Sequence, residues 1–243
     1  MREMSTDRPD QTESAYTVDA GHFQFEADLF SYSRDAENGS HSDSFAAVAM
    51  NLKLGLLNNV DLQLFISPYL YQHTHDPNLG SSTSADGFGE LVPRIKINLW
   101  GNDSGSFALA LMPFVKFPTG DDELSNGAYE GGLIIPLAFA LPGGWGLGLM
   151  TEFDFLKNAE NSQYHTEFIN SVTLSHDIWG PLGGYVEFFT VVSTEAHSSW
   201  QGFFDFGLTW SFTEDIRLDA GVNIGITPAA PDVGPFLGLA FRF

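Results

Sequence analysis

Leu237-Gly238-Leu239-Ala240-Phe241-Arg242-Phe243 closes the chain, and its alternation decides the fold. Leu237, Leu239, Phe241 and Phe243 fall on one face of a strand; Gly238, Ala240 and Arg242 fall on the other, as a period of two requires. A chain that ends flush with such a strand, on an aromatic ring, fits an outer-membrane barrel. Its last strand must close the sheet, and its final ring sits at the membrane interface.

The same period runs backwards through the sequence. Leu218, Ala220, Val222, Ile224 and Ile226 alternate with Arg217, Asp219, Gly221, Asn223 and Gly225, and Phe204, Phe206, Leu208, Trp210 and Phe212 with Asp205, Gly207, Thr209 and Ser211. Near the start, Phe23, Phe25, Ala27 and Leu29 alternate with Gln24, Glu26 and Asp28. The pattern predicts an all-β fold, a transmembrane antiparallel β-barrel of about 12 strands. The predicted spans are 21–32, 44–56, 60–72, 87–100, 105–118, 127–141, 145–156, 163–176, 182–193, 199–212, 216–226 and 234–243. Strand 8 departs most from the pattern, because Asn170 falls on its apolar face.

The connections alternate in length. Asn58-Asn59, Gly101 to Ser104, Pro142-Gly143-Gly144, Ile178 to Pro181 and Thr213-Glu214-Asp215 are short; Ser33 to Asp43, His73 to Asp86 and Thr119 to Asn126 are longer and polar. Bacterial barrels join strands by short periplasmic turns and longer extracellular loops. An even strand number then puts both ends of the barrel on the periplasmic rim. Residues 1–19 lack alternation and contain Pro9, so they are expected to form an N-terminal luminal or periplasmic arm, with residues 20–243 as the barrel.

With no cysteine, neither disulfides nor thiolate metal sites are available. No stretch approaches the roughly 18 apolar residues of a membrane helix, and no apolar signal-peptide core follows Met1. Taken alone that would suit a cytoplasmic chain, but the closing aromatic strand makes a mature or trimmed form the expectation. A net charge of −21 has the wrong sign for nucleic-acid binding.

The apolar face is free of strand charges and too large and aromatic to fill the interior of a twelve-strand barrel, so it is assigned to lipid. Lys53, Arg94, Lys96, Lys116, Arg217 and Arg242 fall on the other face, with Glu26, Asp28, Asp61, Glu90, Glu130, Glu152, Asp154, Glu167, Glu187, Asp205 and Asp219. A Lys or Arg facing lipid near the midplane costs about 2–4 kcal/mol. Eleven acids against six bases predict that an open path favours cations.

Ser5 to Ser14, Gly21-His22-Phe23-Gln24-Phe25-Glu26 and the run Leu218 to Asp232 resemble the outer-membrane family named for the meta-pathway of phenol degradation. The resemblance is specific at the two ends and a matter of pattern in the middle. It implies a transporter barrel in the outer membrane of a Gram-negative bacterium and tilts the solute toward small hydrophobic or aromatic compounds.

Asp7-Arg8-Pro9-Asp10 is the sharpest local feature. A twelve-strand lumen is intermediate in width, so an arm whose Arg8 pairs with interior carboxylates would plug or constrict it. Arg94 and Lys96 are expected to meet Glu26 or Asp28, or Glu130, Glu152 and Asp154, across that lumen, forming a charged constriction or a set of structural ion pairs. Phe65, Tyr69, Tyr71, Phe114, Tyr185, Phe189 and Phe203 are expected to face inward, as solute lining or as packing.

Asp121-Asp122-Glu123 has the oxygen donors to hold a divalent cation at lipopolysaccharide, but the favoured reading is a solvated acidic loop. His73 and His75 could pair on a metal but read rather as an exposed loop, and Ser175-His176-Asp177 reads as a turn, since neighbouring strand residues face opposite ways. His22 and His165 would be the residues to examine were the barrel a hydrolase; no catalytic set, cofactor or metal is expected. The expected function is passive passage of small solutes. The expected partners are outer-membrane lipid, lipopolysaccharide, a small-molecule solute and, through Phe241 and Phe243, the barrel-assembly machinery. A closed structural or adhesion barrel is the alternative.

Overall fold

The computed structural model describes residues 1–37, 40–76, 80–158 and 161–243, and among them there is no helix. The strands are β1 (Phe23–Glu37), β2 (Ser40–Ala47), β3 (Ala49–Leu57), β4 (Val60–Ile66), β5 (Tyr69–Asp76), β6 (Ser81–Gly87), β7 (Val92–Trp100) and β8 (Phe107–Lys116). They continue with β9 (Glu130–Leu141), β10 (Trp145–Lys157), β11 (Tyr164–Trp179), β12 (Leu182–Ser193), β13 (Gln201–Thr213), β14 (Ile216–Gly225) and β15 (Val233–Arg242). Three pairs of segments, β2 with β3, β4 with β5 and β6 with β7, are halves of single staves, so the closed antiparallel barrel has twelve.

Closure is made by β1 against β15, with Gln24 opposite Arg242 and Phe25 opposite Phe241. Phe23 and Phe243 exchange two backbone hydrogen bonds of 3.0 Å, and their rings stack at 5.6 Å on the outer surface. This pairing joins the edges of the first and last strands, whose facing donor rows are thereby closed to lipid. The barrel is inside out relative to a soluble protein: Leu208 is 51% exposed, whereas Asp205 on the same strand is 1% exposed. Asn170 on the outer face is met by Thr151, whose hydroxyl donates to Asn170 Oδ1 at 2.9 Å.

One departure from regularity changes which residues face the lumen. Four adjacent staves break at the same height. β1 bulges between Asp28 and Phe30, Val48 separates β2 from β3 with φ of 57°, Ser67-Pro68 separates β4 from β5, and residues 88–91 separate β6 from β7. Pro68 cannot donate to a ladder, and Gly89 N instead donates to Ser67 O at 2.8 Å across the break. One extra residue in a strand turns every later side chain to the opposite face. Below the line Asn51 and Phe65 face inward. Above it Ser31, Ala46 and Leu70 face inward, lining with Phe203 and Asn223 of the far wall a cavity of about 240 Å³.

Tyr69 and Tyr71 were expected inside, and the inversion puts them outside. Tyr69 is exposed and its ring lies 6.5 Å from Phe45, which in turn meets Phe30 at 5.3 Å. Residues 33–43 and 73–86, expected as loops, are largely strand, so His73 and His75 stand on β5, not in a loop; only the tips at 38–39 and 77–79 lie outside the described residues. Their outward face carries His41 opposite His75, with rings 5.1 Å apart.

Candidate functional site

The lumen is crossed by residues 1–19. The arm enters at the short-turn rim, where Arg2 O accepts from Arg242 Nη1 at 3.0 Å and Arg2 Nη2 donates to Asn58 O at 2.8 Å. It climbs to Pro9 and returns as a hairpin held by Ser14 N donating to Asp7 Oδ1 at 2.9 Å. Its exit is fixed by Arg2 Nε to Asp19 Oδ1 at 2.6 Å and by Gly21 N to Gly55 O at 2.8 Å.

At mid-depth the hairpin is tied to the wall on all sides. Asp7 accepts from Lys53 and Lys96 of β3 and β7. Burial alone would push its carboxyl up, but these two ammonium groups and Arg94 hold it well below the usual carboxylate range. Arg8 reaches the opposite side, with Nη1 2.7 Å from Asp28 Oδ1 and Nη2 2.8 Å from Asp219 Oδ1. The guanidinium lies flat over Gly238, where a Cβ would come 2.0 Å from Arg8 Nη2. Gln11 N and Thr12 N donate to Glu187 of β12 at 2.6 and 2.9 Å, and Glu13 receives Arg94 Nη1 at 2.6 Å. On the descending limb Asn98 Nδ2 donates to Ala15 O at 2.7 Å and Val18 N to Asp61 Oδ2 at 3.0 Å. Burial pushes Asp10 up to about 8, with Glu187 adding to the shift. Burial likewise pushes Glu13 up to about 7, and Arg94 offsets this only in part.

Arg94 and Lys96 therefore meet the arm, not the wall carboxylates expected for them. Glu26 is taken by Lys53, and Glu130 by Lys116 at 2.5 Å, which also holds Glu90 at 2.9 Å. Glu152 and Asp154 lie inward on β10. Arg242 pairs with Asp215 at 2.7 Å at the rim, and Arg217 nearby reaches Ser211 at 3.4 Å. The lumen is thus divided. Lys53, Arg94, Lys96 and Lys116 stand on β3, β7 and β8, while Glu152, Asp154, Glu167, Glu187 and Asp205 stand on β10 to β13.

Above the hairpin lies a chamber of about 610 Å³, walled by Phe65, Phe114 and Phe236 among its carboxylates. Arg94 sits 5.8 Å from the Phe65 ring and Arg8 6.0 Å from Phe236. Phe189 stacks on Phe203 at 4.3 Å, and buried Ala230 from the β14–β15 connection packs on both. That infolded loop was not legible in the sequence, though its run of Pro and Ala marks it as no ordinary polar loop. Tyr185 is buried with its ring over Gly207.

Asp121 plays a structural role. Its Oδ2 accepts Phe88 N at 2.8 Å, tying the β8–β9 connection over the break between β6 and β7. Asp122 and Glu123 beside it are exposed. Ser175-His176-Asp177, expected as a turn, lies within β11, with His176 against Trp145 at 4.4 Å. His22 and His165 sit at opposite rims, His22 O accepting from Gly55 N at 3.0 Å and His165 Nδ1 2.9 Å from Asn158 Oδ1. Among the described residues no group of three His or carboxylates is placed to hold a metal ion.

The sequence model of the family described as "Putative MetA-pathway of phenol degradation" matches residues 6–243. The chain belongs to this family. No curated protein sequence matches it. Among solved structures the family member is similar to an outer membrane channel from Pseudomonas putida F1, at 12% identity and a TM-score of 0.72, covering 94% of this chain and 98% of that one. It is also similar to the NanC porin (8% identity, TM-score 0.60, 90% and 100% covered). A third is the translocator domain of the autotransporter NalP from Neisseria meningitidis (10%, 0.59, 93% and 90%). At these identities the likeness is one of fold, and it is the fold of bacterial outer-membrane barrels. The family member has the fold of an outer-membrane β-barrel, with its belt of apolar side chains turned toward membrane lipid.

Proposed function

We propose that this barrel is a passive channel for small solutes, hydrophobic or aromatic in part, and that residues 1–19 act as its constriction. The carrying observation is the hairpin's set of ties to facing walls: Arg8 to Asp28 and Asp219, Glu13 to Arg94, and Gln11 and Thr12 to Glu187. An arm that served only as a tail has no need of buried ion pairs on opposite sides of a lumen. Passage follows displacement of the hairpin, and the excess of wall carboxylates favours cations. Lipopolysaccharide at the loop rim and the barrel-assembly machinery at Phe241 and Phe243 are the proposed macromolecular contacts.

The test is single-channel conductance in a planar bilayer, comparing the full chain with one lacking residues 1–19. Small or rare currents from the full chain and steady cation-preferring current after deletion support the reading. Silence from both would overturn it and favour a closed structural barrel.

A further inference from the structure

The chamber above the hairpin holds carboxylates that no cation answers. Asp154 and Asp205 both line it, and they are 7% and 1% exposed. One oxygen of each, Asp154 Oδ1 and Asp205 Oδ1, is fully buried and has no hydrogen-bond partner. An unanswered buried carboxylate oxygen is costly and calls for a partner, which a donor or a cation can supply. The basic side chains do not supply it. Arg94 is held by Glu13, and Lys116 lies near Asp154 but is engaged by Glu90 and Glu130.

A second feature specifies the shape of that partner. Gly132 lies between Phe114 on β8 and Asp154 on β10 in the ladder. A Cβ there would come 2.6 Å from Asp154 Oδ1 and 2.8 Å from Phe114 Cε1. The glycine therefore lets an aromatic ring and a carboxylate pack side by side against the strand backbone at the chamber wall. A cation is drawn both by the carboxylate and by the negative face of a ring. Phe65 and Phe236 in the same chamber already have Arg94 and Arg8 near them. Among the described residues no cation sits over the Phe114 ring in the same way.

We propose that this chamber is a binding site for an aromatic organic cation, an amine or quaternary ammonium on a small ring, with its charge at Asp154 and its apolar part against Phe114. A bare metal ion suits the site less, since no group of three ligands converges among the described residues and much of the wall is phenyl. The chamber, at about 610 Å³, has room for such a molecule beside the docked hairpin. The proposal rests on the reading of the barrel as a solute route and narrows its substrate class.

The experiment is equilibrium binding by isothermal titration calorimetry to the full chain. A non-ionic detergent is needed, because zwitterionic ones carry a quaternary ammonium of their own. The probes are benzyltrimethylammonium, benzyl alcohol and benzoate. Saturable binding of the cation is expected, at least tenfold tighter than the alcohol, with none for benzoate. Asp154→Asn, which keeps shape and removes charge, is expected to weaken the cation about tenfold, and Phe114→Leu severalfold. Folding of each variant is checked by the heat-dependent gel shift of intact barrels. Equal binding of the alcohol or benzoate, no saturable binding of the cation, or unchanged affinity in folded Asp154→Asn would overturn the proposal. The measurement needs no current, so a silent bilayer tells against the channel and leaves the binding result standing, and the reverse also holds.

Discussion

Arg8 Nη2 lies 2.8 Å from Asp219 Oδ1, a carboxylate 211 residues away along the chain, and only 2% of that Asp219 side chain is exposed. Among the described residues no other tie joins the arm to the last strands of the barrel as closely. Removing one partner of a buried pair leaves the other charge unanswered, at about 3–5 kcal/mol. Arg8→Ala strands two carboxylates, Asp28 and Asp219. The hairpin is expected to leave the lumen most of the time, raising open probability in planar bilayers toward that of the deletion of residues 1–19.

Gly238 reaches the same tie without touching charge. An Ala there collides with the Arg8 guanidinium, the mobile end of a long side chain, so the arm gives way before the barrel does. Gly238→Ala should loosen the arm and leave the barrel's unfolding midpoint unchanged. Added to Arg8→Ala it should have no further effect on open probability, since coupled residues fail additivity.

Docking should also weaken as pH rises. Asp10 sits at about 8 in the docked arm against an ordinary 3.8, and Glu13 at about 7 against 4.5. Between roughly pH 4 and 8 the docked state thus binds more protons than the released one, and its stability falls as pH climbs through that window. Asp7, held low by Lys53, Lys96 and Arg94 against its burial, is ionised in both states above pH 5 and adds no slope there. Open probability is expected to increase from pH 5 to 9, and Asp10→Asn should flatten the upper part of the curve.

Val48 takes φ of 57° at the break between β2 and β3, a conformation that a β-branched residue resists. Val48→Gly is expected to raise barrel stability by about 1 kcal/mol, read as a later midpoint in urea. An earlier midpoint would mean that Val48 contributes more through packing than it costs in backbone strain.

Most of the barrel was legible because lipid imposes a simple rule: every second side chain must be apolar. The closing pair Phe25 and Phe241, and inward Asp205 beside outward Phe204, follow from that rule alone. It fails where lipid no longer touches the strand. Ser40 to Asp43 and His73 to His75 carry no apolar side chain, so the sequence shows no alternation there and they read as loops. The phase inversions at Val48 and Pro68 are backbone events with no hydrophobic signature, and they carried Tyr69 and Tyr71 to the wrong face. In the lumen, Arg8 was legible as a basic residue in an arm otherwise rich in acids. The partners of Arg94 and Lys96 were not, because both answer to Glu13 and Asp7 of an arm whose hairpin only the three-dimensional structure reveals.

Both limbs of the hairpin meet the same rim, and its second limb runs without a break into β1 through Gly21. A displaced arm would therefore stay on a short leash beside the opening it has left. Its return is a first-order event at an effective concentration of the order of millimolar, unaffected by how much protein the membrane holds. The barrel carries its own competitor for the space a solute must use. Openings of the intact chain should come as brief bursts whose length is set by recapture, while the arm-deleted barrel has nothing to end them.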